Sequence, residues 1–327
     1  DMMQCRWGSH GDYEIIAICP DSPQECFDLV IHAFNFADQY RVPVMFIMDE
    51  CIAHMSEKVV IPPEEEIEVY PRRFTELPPE EYKMYKPEKD LVPQIVKAGD
   101  GYRFHVTGLT HNEKGYPVIS PECQAELIPR LMNKIRKNEK DIRMIKQDVP
   151  DDAEVVVISY GITSRIVTLA IEKAKRKGIK VGNLRLIVVW PFPEEVIRNI
   201  AQNVKAMVVV EMNCGQIYYE VERCCRGKSD VHLVPHSGGM VHDPEIILEK
   251  ISLINIAGTG FIRNEAFSEI SPSNSASTGL SRFSSQAMRS AIRRAWRSGS
   301  SFLSFLARLS RRQPMPSSEA CSRNATY

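Results

Sequence analysis

No Cys-x-x-Cys pair occurs among the nine cysteines, which stand at 5, 19, 26, 51, 123, 214, 224, 225 and 321. An iron–sulfur or zinc centre needs clustered thiolates, so no metal site is expected in this chain. A chain of this size in a reducing compartment needs no disulfides, and Cys224-Cys225 is read as two free thiols on a helix. No apolar run reaches the roughly 18 residues that cross a bilayer. The start, Asp1-Met2-Met3-Gln4-Cys5-Arg6, lacks the layout of a secretory signal. The expectation is a cytoplasmic protein without membrane contact. Lysine is missing from 261–327, where ten arginines stand against three glutamates among 17 serines, whereas 1–260 hold 31 basic and 39 acidic side chains. Residues 257–327 are therefore expected to be a disordered or non-native tail, with 286–312 as its one candidate for order.

The chain is organised around 155–216. Val155-Val156-Val157-Ile158-Ser159-Tyr160-Gly161 is a β-branched run that stops at a glycine. Helical spacing follows, with Ile166, Leu169, Ala170 and Ala174 on one stripe and a stop at Lys177-Gly178. A second strand is expected over 181–189, then a turn through Trp190-Pro191-Phe192-Pro193 and a helix opened by Glu194-Glu195. A third strand, 206–210, runs into Glu211-Met212-Asn213-Cys214-Gly215-Gln216. This alternation predicts an α/β fold with a right-handed parallel sheet covered on both faces. Ligands gather at the carboxyl ends of such strands, where Ser159, Tyr160, Gly161, Ser164 and Arg165 stand after the first and Glu211, Asn213 and Gln216 after the third.

Ahead of this core, 13–18 and 42–48 read as buried strands around a helix. Ser22, Pro23 and Glu25 form its capping box, and Phe27, Val30, Ile31 and Phe34 are expected on its inner face. Proline and glutamate dominate 61–93, an extended connector. The Gly/His segment 99–117 reads as a surface loop or short hairpin. A long helix from Ser120-Pro121, bent at Pro129 and running through Ile142, is expected to carry Lys134, Arg136, Lys137, Lys140 and Arg143 outside. That charge run reads as a solvated face rather than a nucleic-acid patch. Beyond 216 come a helix with Val221 and Cys224 inward, a fourth strand at 231–235, and a last helix capped by Asp243.

Several stretches carry a resemblance. Ser-Tyr-Gly-Ile-Thr-Ser-Arg at 159–165, Trp-Pro-Phe-Pro at 190–193 and Glu-Met-Asn-Cys-Gly-Gln at 211–216 are similar to the transketolase-C-like domain of 2-oxoacid:ferredoxin oxidoreductase α subunits, the 2-oxoglutarate type above all. Arg6-Trp7-Gly8-Ser9-His10-Gly11-Asp12 with Ser22-Pro23-Gln24-Glu25 resembles the end of that family's pyrimidine-binding domain. Gly101 to His111 resembles its Gly-Tyr-Arg-x-His-Val-Thr-Gly-Leu-Thr-His stretch.

The resemblance implies the end of a pyrimidine-binding domain at 1–60, a connector with the Gly/His loop and basic helix at 61–150, and a transketolase-C-like domain at 151–256. It implies oxidative decarboxylation of 2-oxoglutarate with coenzyme A and ferredoxin. Thiamine diphosphate with Mg2+ would be shared with a thiamine-pyrophosphate-binding β subunit, and iron–sulfur clusters would lie only in partners, among them γ and ferredoxin-like δ subunits. Arg6 and His10 become substrate-side candidates, and Tyr160, Gly161, Ser164, Asn213, Gln216, His105 and His111 face a cofactor or partner. No residue is singled out as catalytic. The family's first domain is longer at its N-terminus, so an N-terminally truncated piece, inactive alone, is expected. Two alternatives remain at this stage: a β subunit of a thiamine-dependent 2-oxoacid dehydrogenase, and a non-catalytic binding module with a basic tail.

Overall fold

Apolar β-branched runs and amphipathic stretches alternate into an α/β body in the computed structural model, which describes residues 1–257. The expected tail lies outside the described residues. In chain order the elements are α1 (Met2–Trp7), β1 (Ile16–Ile18), α2 (Pro23–Tyr40), β2 (Val44–Phe46) and α3 (Glu50–His54), then, past the connector, α4 (Pro121–Arg136), α5 (Glu139–Ile142) and β3 (Ile145–Asp148). They continue with β4 (Val155–Tyr160), α6 (Thr163–Arg176), β5 (Val181–Leu186), β6 (Val188–Trp190), α7 (Glu194–Ala201), β7 (Ala206–Glu211), α8 (Ile217–Cys225), β8 (Asp230–Pro235) and α9 (Pro244–Ala257).

The larger sheet has the order β3-β5-β4-β7-β8. Four of its strands are parallel, and β3 pairs antiparallel to β5 at the edge. Residues alternate between two cores, as a pleated strand requires. Val156 and Ile158 face a layer with α7 and α8, and Val155 and Val157 face α6 and α9. The smaller sheet, β2-β1-β6, joins the first part of the chain to a strand from its middle, with β1 parallel to β2 and antiparallel to β6.

The expected single strand over 181–189 is thus two. After Leu186 the chain leaves the larger sheet, and Ile187 and Val188 both donate to the Met144 carbonyl at 3.0 Å. Burial on both faces in both sheets leaves no break in the apolar run to mark the crossing. Strand β3 was not anticipated, and it joins the larger sheet ahead of the boundary expected at 150. Strand β2, expected to be buried, is an edge strand with Met45 half exposed.

On α2 the cap forms as expected, Ser22 Oγ accepting from the Glu25 amide at 3.2 Å. The inner face does not. Leu29, Ala33, Phe36 and Tyr40 are buried, and Phe34 is 69% exposed. Both stripes have helical spacing, so periodicity alone did not choose between them. The flank of α2 is strapped by the connector. Gln24 exchanges hydrogen bonds with Val60, Asn35 donates to the Glu68 carbonyl at 2.7 Å, and Arg41 donates to the carbonyls of Pro93 and Gln94. On α6, Leu169 is likewise half exposed, and Val167 and Ile171 take the inner positions.

Helix α4 starts at the expected Ser120 cap, contains Pro129 and ends at Arg136, with α5 separate. Lys134, expected outside, is 4% exposed, and its Nζ donates at 2.8 Å to the Arg41 carbonyl that terminates α2. Burial, with Arg130 and Arg41 nearby, brings its pKa down to about 8 from 10.5. The folded protein therefore binds this proton less tightly than the unfolded chain does. Stability is expected to rise by up to about 3 kcal/mol as pH increases from about 8 to about 10.5. Chemical unfolding of Lys134→Met across that range should lack the rise, and parallel profiles for the two proteins would refute it.

Candidate functional site

The chain leaves β4 toward β5 on one side and leaves neighbouring β7 toward β8 on the other. This reversal makes a topological switch point, and its crevice lies at the carboxyl ends of β4 and β7. Tyr160 ends β4 and Glu211 ends β7.

Glu211 is fully buried. Its Oε2 accepts from Tyr160 Oη at 2.8 Å and the Ile217 amide at 3.0 Å, and its Oε1 accepts from the amides of Tyr218 at 2.8 Å and Gln216 at 3.1 Å. The carboxylate caps the positive end of α8 and satisfies amides that a helix start leaves unpaired. Burial, and then the adjacent Glu211 charge, pushes the Tyr160 hydroxyl well above its ordinary range. Asn213 Nδ2 donates to Tyr160 Oη at 2.9 Å, and its Oδ1 accepts from the Gly215 amide at 2.8 Å. Gly215 has φ +99°, and a Cβ there would press on Leu233, so only glycine suits the turn.

Three further groups tie this crevice to the first part of the chain. Gln216 Oε1 accepts the Met3 amide at 3.1 Å, and Trp190 Nε1 donates to the Met2 carbonyl at 2.8 Å, which seats α1. Gly161 has φ +58°, and the next amide, Ile162, donates at 2.7 Å to Oδ2 of Asp49, just beyond β2. Ser164 is buried, its Oγ accepting from Ser159 Oγ at 3.2 Å.

The structure thus gathers Tyr160, Gly161, Ser164, Asn213 and Gln216, and turns Tyr160 and Ser164 inward. Their polar groups were expected to face a cofactor or partner; bonding within the loops uses them instead. Arg6 is also buried. It donates to the Tyr13 carbonyl at 2.7 Å and to Glu14 Oε1 at 3.0 Å, beside the Trp7 ring, and Arg136 binds the same carboxylate. The guanidinium expected for a substrate carboxylate is occupied by Glu14, so Arg6 holds the entry to β1. His10 is exposed in the bend that follows α1.

The segment around His105 and His111 folds as a hairpin with one antiparallel bridge, His111 to Pro117. His105 stacks parallel on Tyr116 at 5.1 Å. His111 lies 4.1 Å from the Tyr85 ring, its Nδ1 donating to the Leu109 carbonyl at 2.9 Å. Gly115, at φ +89°, lies where a Cβ would overlap the His105 carbonyl. Asp49 was missed as a site residue, and Glu211 was expected among the polar residues at the end of the third strand but not as the group that orders the crevice. Each is an acid directly after an apolar strand, and that was the available signal.

Two mostly parallel sheets, joined through the consecutive strands β5 and β6 and linked at the carboxyl ends of β2 and β4 by Asp49, define an α/β chain of the kind that builds ligand crevices between domains. Residues 1–128 match the thiamine diphosphate-binding domain of pyruvate flavodoxin/ferredoxin oxidoreductases, and 153–247 match pyruvate:ferredoxin oxidoreductase core domain II. The 2-oxoglutarate synthase subunit KorA of Methanothermobacter thermautotrophicus is 47% identical over 256 residues, which are 78% of this chain and 68% of that protein. The ketoisovalerate oxidoreductase subunit VorB of the same organism is 32% identical, over 75% of this chain and 62% of that protein. A solved 2-oxoglutarate:ferredoxin oxidoreductase from Magnetococcus marinus, with 2-oxoglutarate, coenzyme A and succinyl-CoA bound, shares the fold at a TM-score of 0.68 and 22% identity. That match covers 77% of this chain and 44% of the solved one. The chain belongs to the 2-oxoacid:ferredoxin oxidoreductase family, and it spans about two thirds of the length of these curated relatives.

The family domain matched by 1–128 binds thiamine diphosphate. The cleft beside β1 and β2, about 820 Å3, offers Ile15, Met45, Phe46 and Met48 as an apolar wall for a ring. Its carboxylates are Asp1 and Glu14, the latter held by Arg6 and Arg136. Among the described residues no group of three or more His, Cys, Asp or Glu side chains is arranged for a metal ion of the kind that anchors a pyrophosphate. The described residues supply a wall and do not by themselves fit the whole cofactor.

Proposed function

We propose that this chain is part of the α subunit of a cytoplasmic 2-oxoglutarate:ferredoxin oxidoreductase, which converts 2-oxoglutarate and coenzyme A to succinyl-CoA and CO2 and reduces ferredoxin. The observation that carries the proposal is the contrast within one organism, 47% identity to a 2-oxoglutarate synthase subunit against 32% to a ketoisovalerate oxidoreductase subunit. In this reading thiamine diphosphate supplies the carbanion chemistry. A β subunit holds its pyrophosphate and Mg2+, and iron–sulfur centres in partners carry the electrons. The β4–β7 crevice faces coenzyme A or the partner, with Tyr160, Glu211, Asn213 and Ser164 fixing the loops rather than touching the ligand. Gln216 and Trp190 hold α1, and the His105–His111 hairpin meets another subunit. His10 stays a substrate-side candidate through its exposure. Family membership favours ferredoxin as acceptor over the lipoyl carrier of the dehydrogenase alternative.

Co-purification tests the subunit reading. A tagged chain expressed with a thiamine-pyrophosphate-binding β subunit of the same family should recover that subunit in equimolar amount, with thiamine diphosphate bound to the complex and absent from the chain alone. Recovery of the chain alone under these conditions, or cofactor on the isolated chain, would count against it.

A further inference from the structure

Asp49 stands just past the carboxyl end of β2, and its side chain crosses to the turn that ends β4. Its Oδ2 accepts the Ile162 amide at 2.7 Å, and Gly161 is the one residue type that leaves room, since a Cβ there would overlap this carboxylate. Gly161 also has φ +58°, so two independent features of the turn, its left-handed backbone and its bare α-carbon, are matched to Asp49. The contact continues along the chain. Arg165, in the first turn of α6, forms a bidentate pair with Glu57, and Gln24 then fastens Val60 to α2. Residues 49–60 therefore run as a strap from the smaller sheet over the first turn of α6. Burial raises the Asp49 carboxyl above its ordinary range, and the Ile162 hydrogen bond opposes this.

We propose that Asp49 is a positioning residue: by holding the Gly161–Ile162 turn it fixes the β4 side of the switch-point crevice relative to the β1–β2 wall, and so sets where the acyl acceptor lies against the 2-oxoacid. This rests on the reading that the crevice faces coenzyme A. Asn at position 49 keeps an oxygen acceptor for Ile162, whereas Ala removes it. Gly161→Ala attacks the same contact from the other side.

Two measurements test it. In the full chain, hydrogen exchange of the Ile162 amide should speed up at least about tenfold in Asp49→Ala, the loss of one hydrogen bond, and far less in Asp49→Asn. Amides of β4 and β7 should keep their protection, which shows the fold intact. In the complex with partner subunits, Asp49→Ala and Gly161→Ala should each raise KM for coenzyme A about tenfold and leave KM for 2-oxoglutarate within twofold, with Asp49→Asn near wild type. Unchanged exchange at Ile162 in Asp49→Ala would overturn the latch itself. Faster exchange with both KM values unchanged, or raised equally, would overturn the positioning role. A wild-type complex inactive with 2-oxoglutarate would refute the function proposed above, and the exchange result would still decide the latch.

Discussion

Glu211→Ala is expected to destabilise the chain by about 3–5 kcal/mol, because removal of the carboxylate strands Tyr160 Oη and three amides at the start of α8 in a buried site. For a body of this size that corresponds to a fall in Tm of about 10 °C. Glu211→Gln should be nearly as damaging, since one face of the amide turns donors toward donors. Tyr160→Phe removes one of the donors to Glu211 and the acceptor of Asn213, and should cost about 1–2 kcal/mol. Urea unfolding followed by circular dichroism measures all three. A loss below about 1 kcal/mol for Glu211→Ala would mean that water or another side chain replaces the carboxylate, and that the crevice is less preorganised than its hydrogen bonds imply.

Arg185→Met should have an effect of similar size. Arg185 is buried on β5 and reaches across to α2 and its cap, where NH1 meets Asp21 at 2.6 Å and the guanidinium binds Glu25, which Lys146 of β3 also contacts. Removal leaves two carboxylates in a partly buried site with only Lys146 opposite, a change that typically costs about 3–5 kcal/mol. The pH dependence adds a second readout. Burial by itself would raise the Glu25 carboxyl, but hydrogen bonds from Arg185 and Lys146 hold it at about 2. Its contribution is present above its ordinary range near 4.5 and is lost as pH falls toward 2. At Asp21 burial outweighs Arg185 and the carboxyl is raised, so that residue works in the opposite direction. Arg185→Met should therefore lose most stability at neutral pH and show a flatter acid limb. A variant as stable as wild type at pH 7 would show that the contact between α2 and β5 is apolar in origin.

The strands at 155–160, 206–211 and 230–235 were legible because parallel strands buried on both faces are continuous β-branched runs, and Gly161, Glu211 and Pro235 mark where they stop. The cap at Ser22 was legible for a local reason, since its partner lies three residues away. The missed features depend on distant parts of the chain. Leu186 and Val188 look alike in sequence, yet one pairs in the larger sheet and the other beside β1. Lys134 reads as a solvated charge until the carbonyl end of α2 arrives over it. Which stripe of α2 is buried depends on a smaller sheet whose third strand lies some 150 residues away. The crevice residues were found by position, at the carboxyl ends of strands, but their engagement with one another was hidden. Tyr160, Asn213 and Glu211 are polar residues in the stretches that run into Gly161 and Gly215, a pattern that fits an open ligand site and a closed loop equally well. Arg6 reads the same way: a hold on a substrate carboxylate and a loop-closing pair with Asp12 or Glu14 fit the sequence equally well, and the fold selects Glu14.

Turnover by the assembled enzyme tests the proposed function most directly. The chain, combined with its partner subunits, thiamine diphosphate and Mg2+, should reduce ferredoxin only when both 2-oxoglutarate and coenzyme A are present, with kcat/KM for 2-oxoglutarate at least about tenfold above that for 2-oxoisovalerate, equivalent to about 1.4 kcal/mol of discrimination. The chain alone should reduce neither ferredoxin nor a viologen dye. A complex that prefers the branched 2-oxoacid, or that transfers its electrons to NAD through a lipoyl carrier and not to ferredoxin, would contradict it.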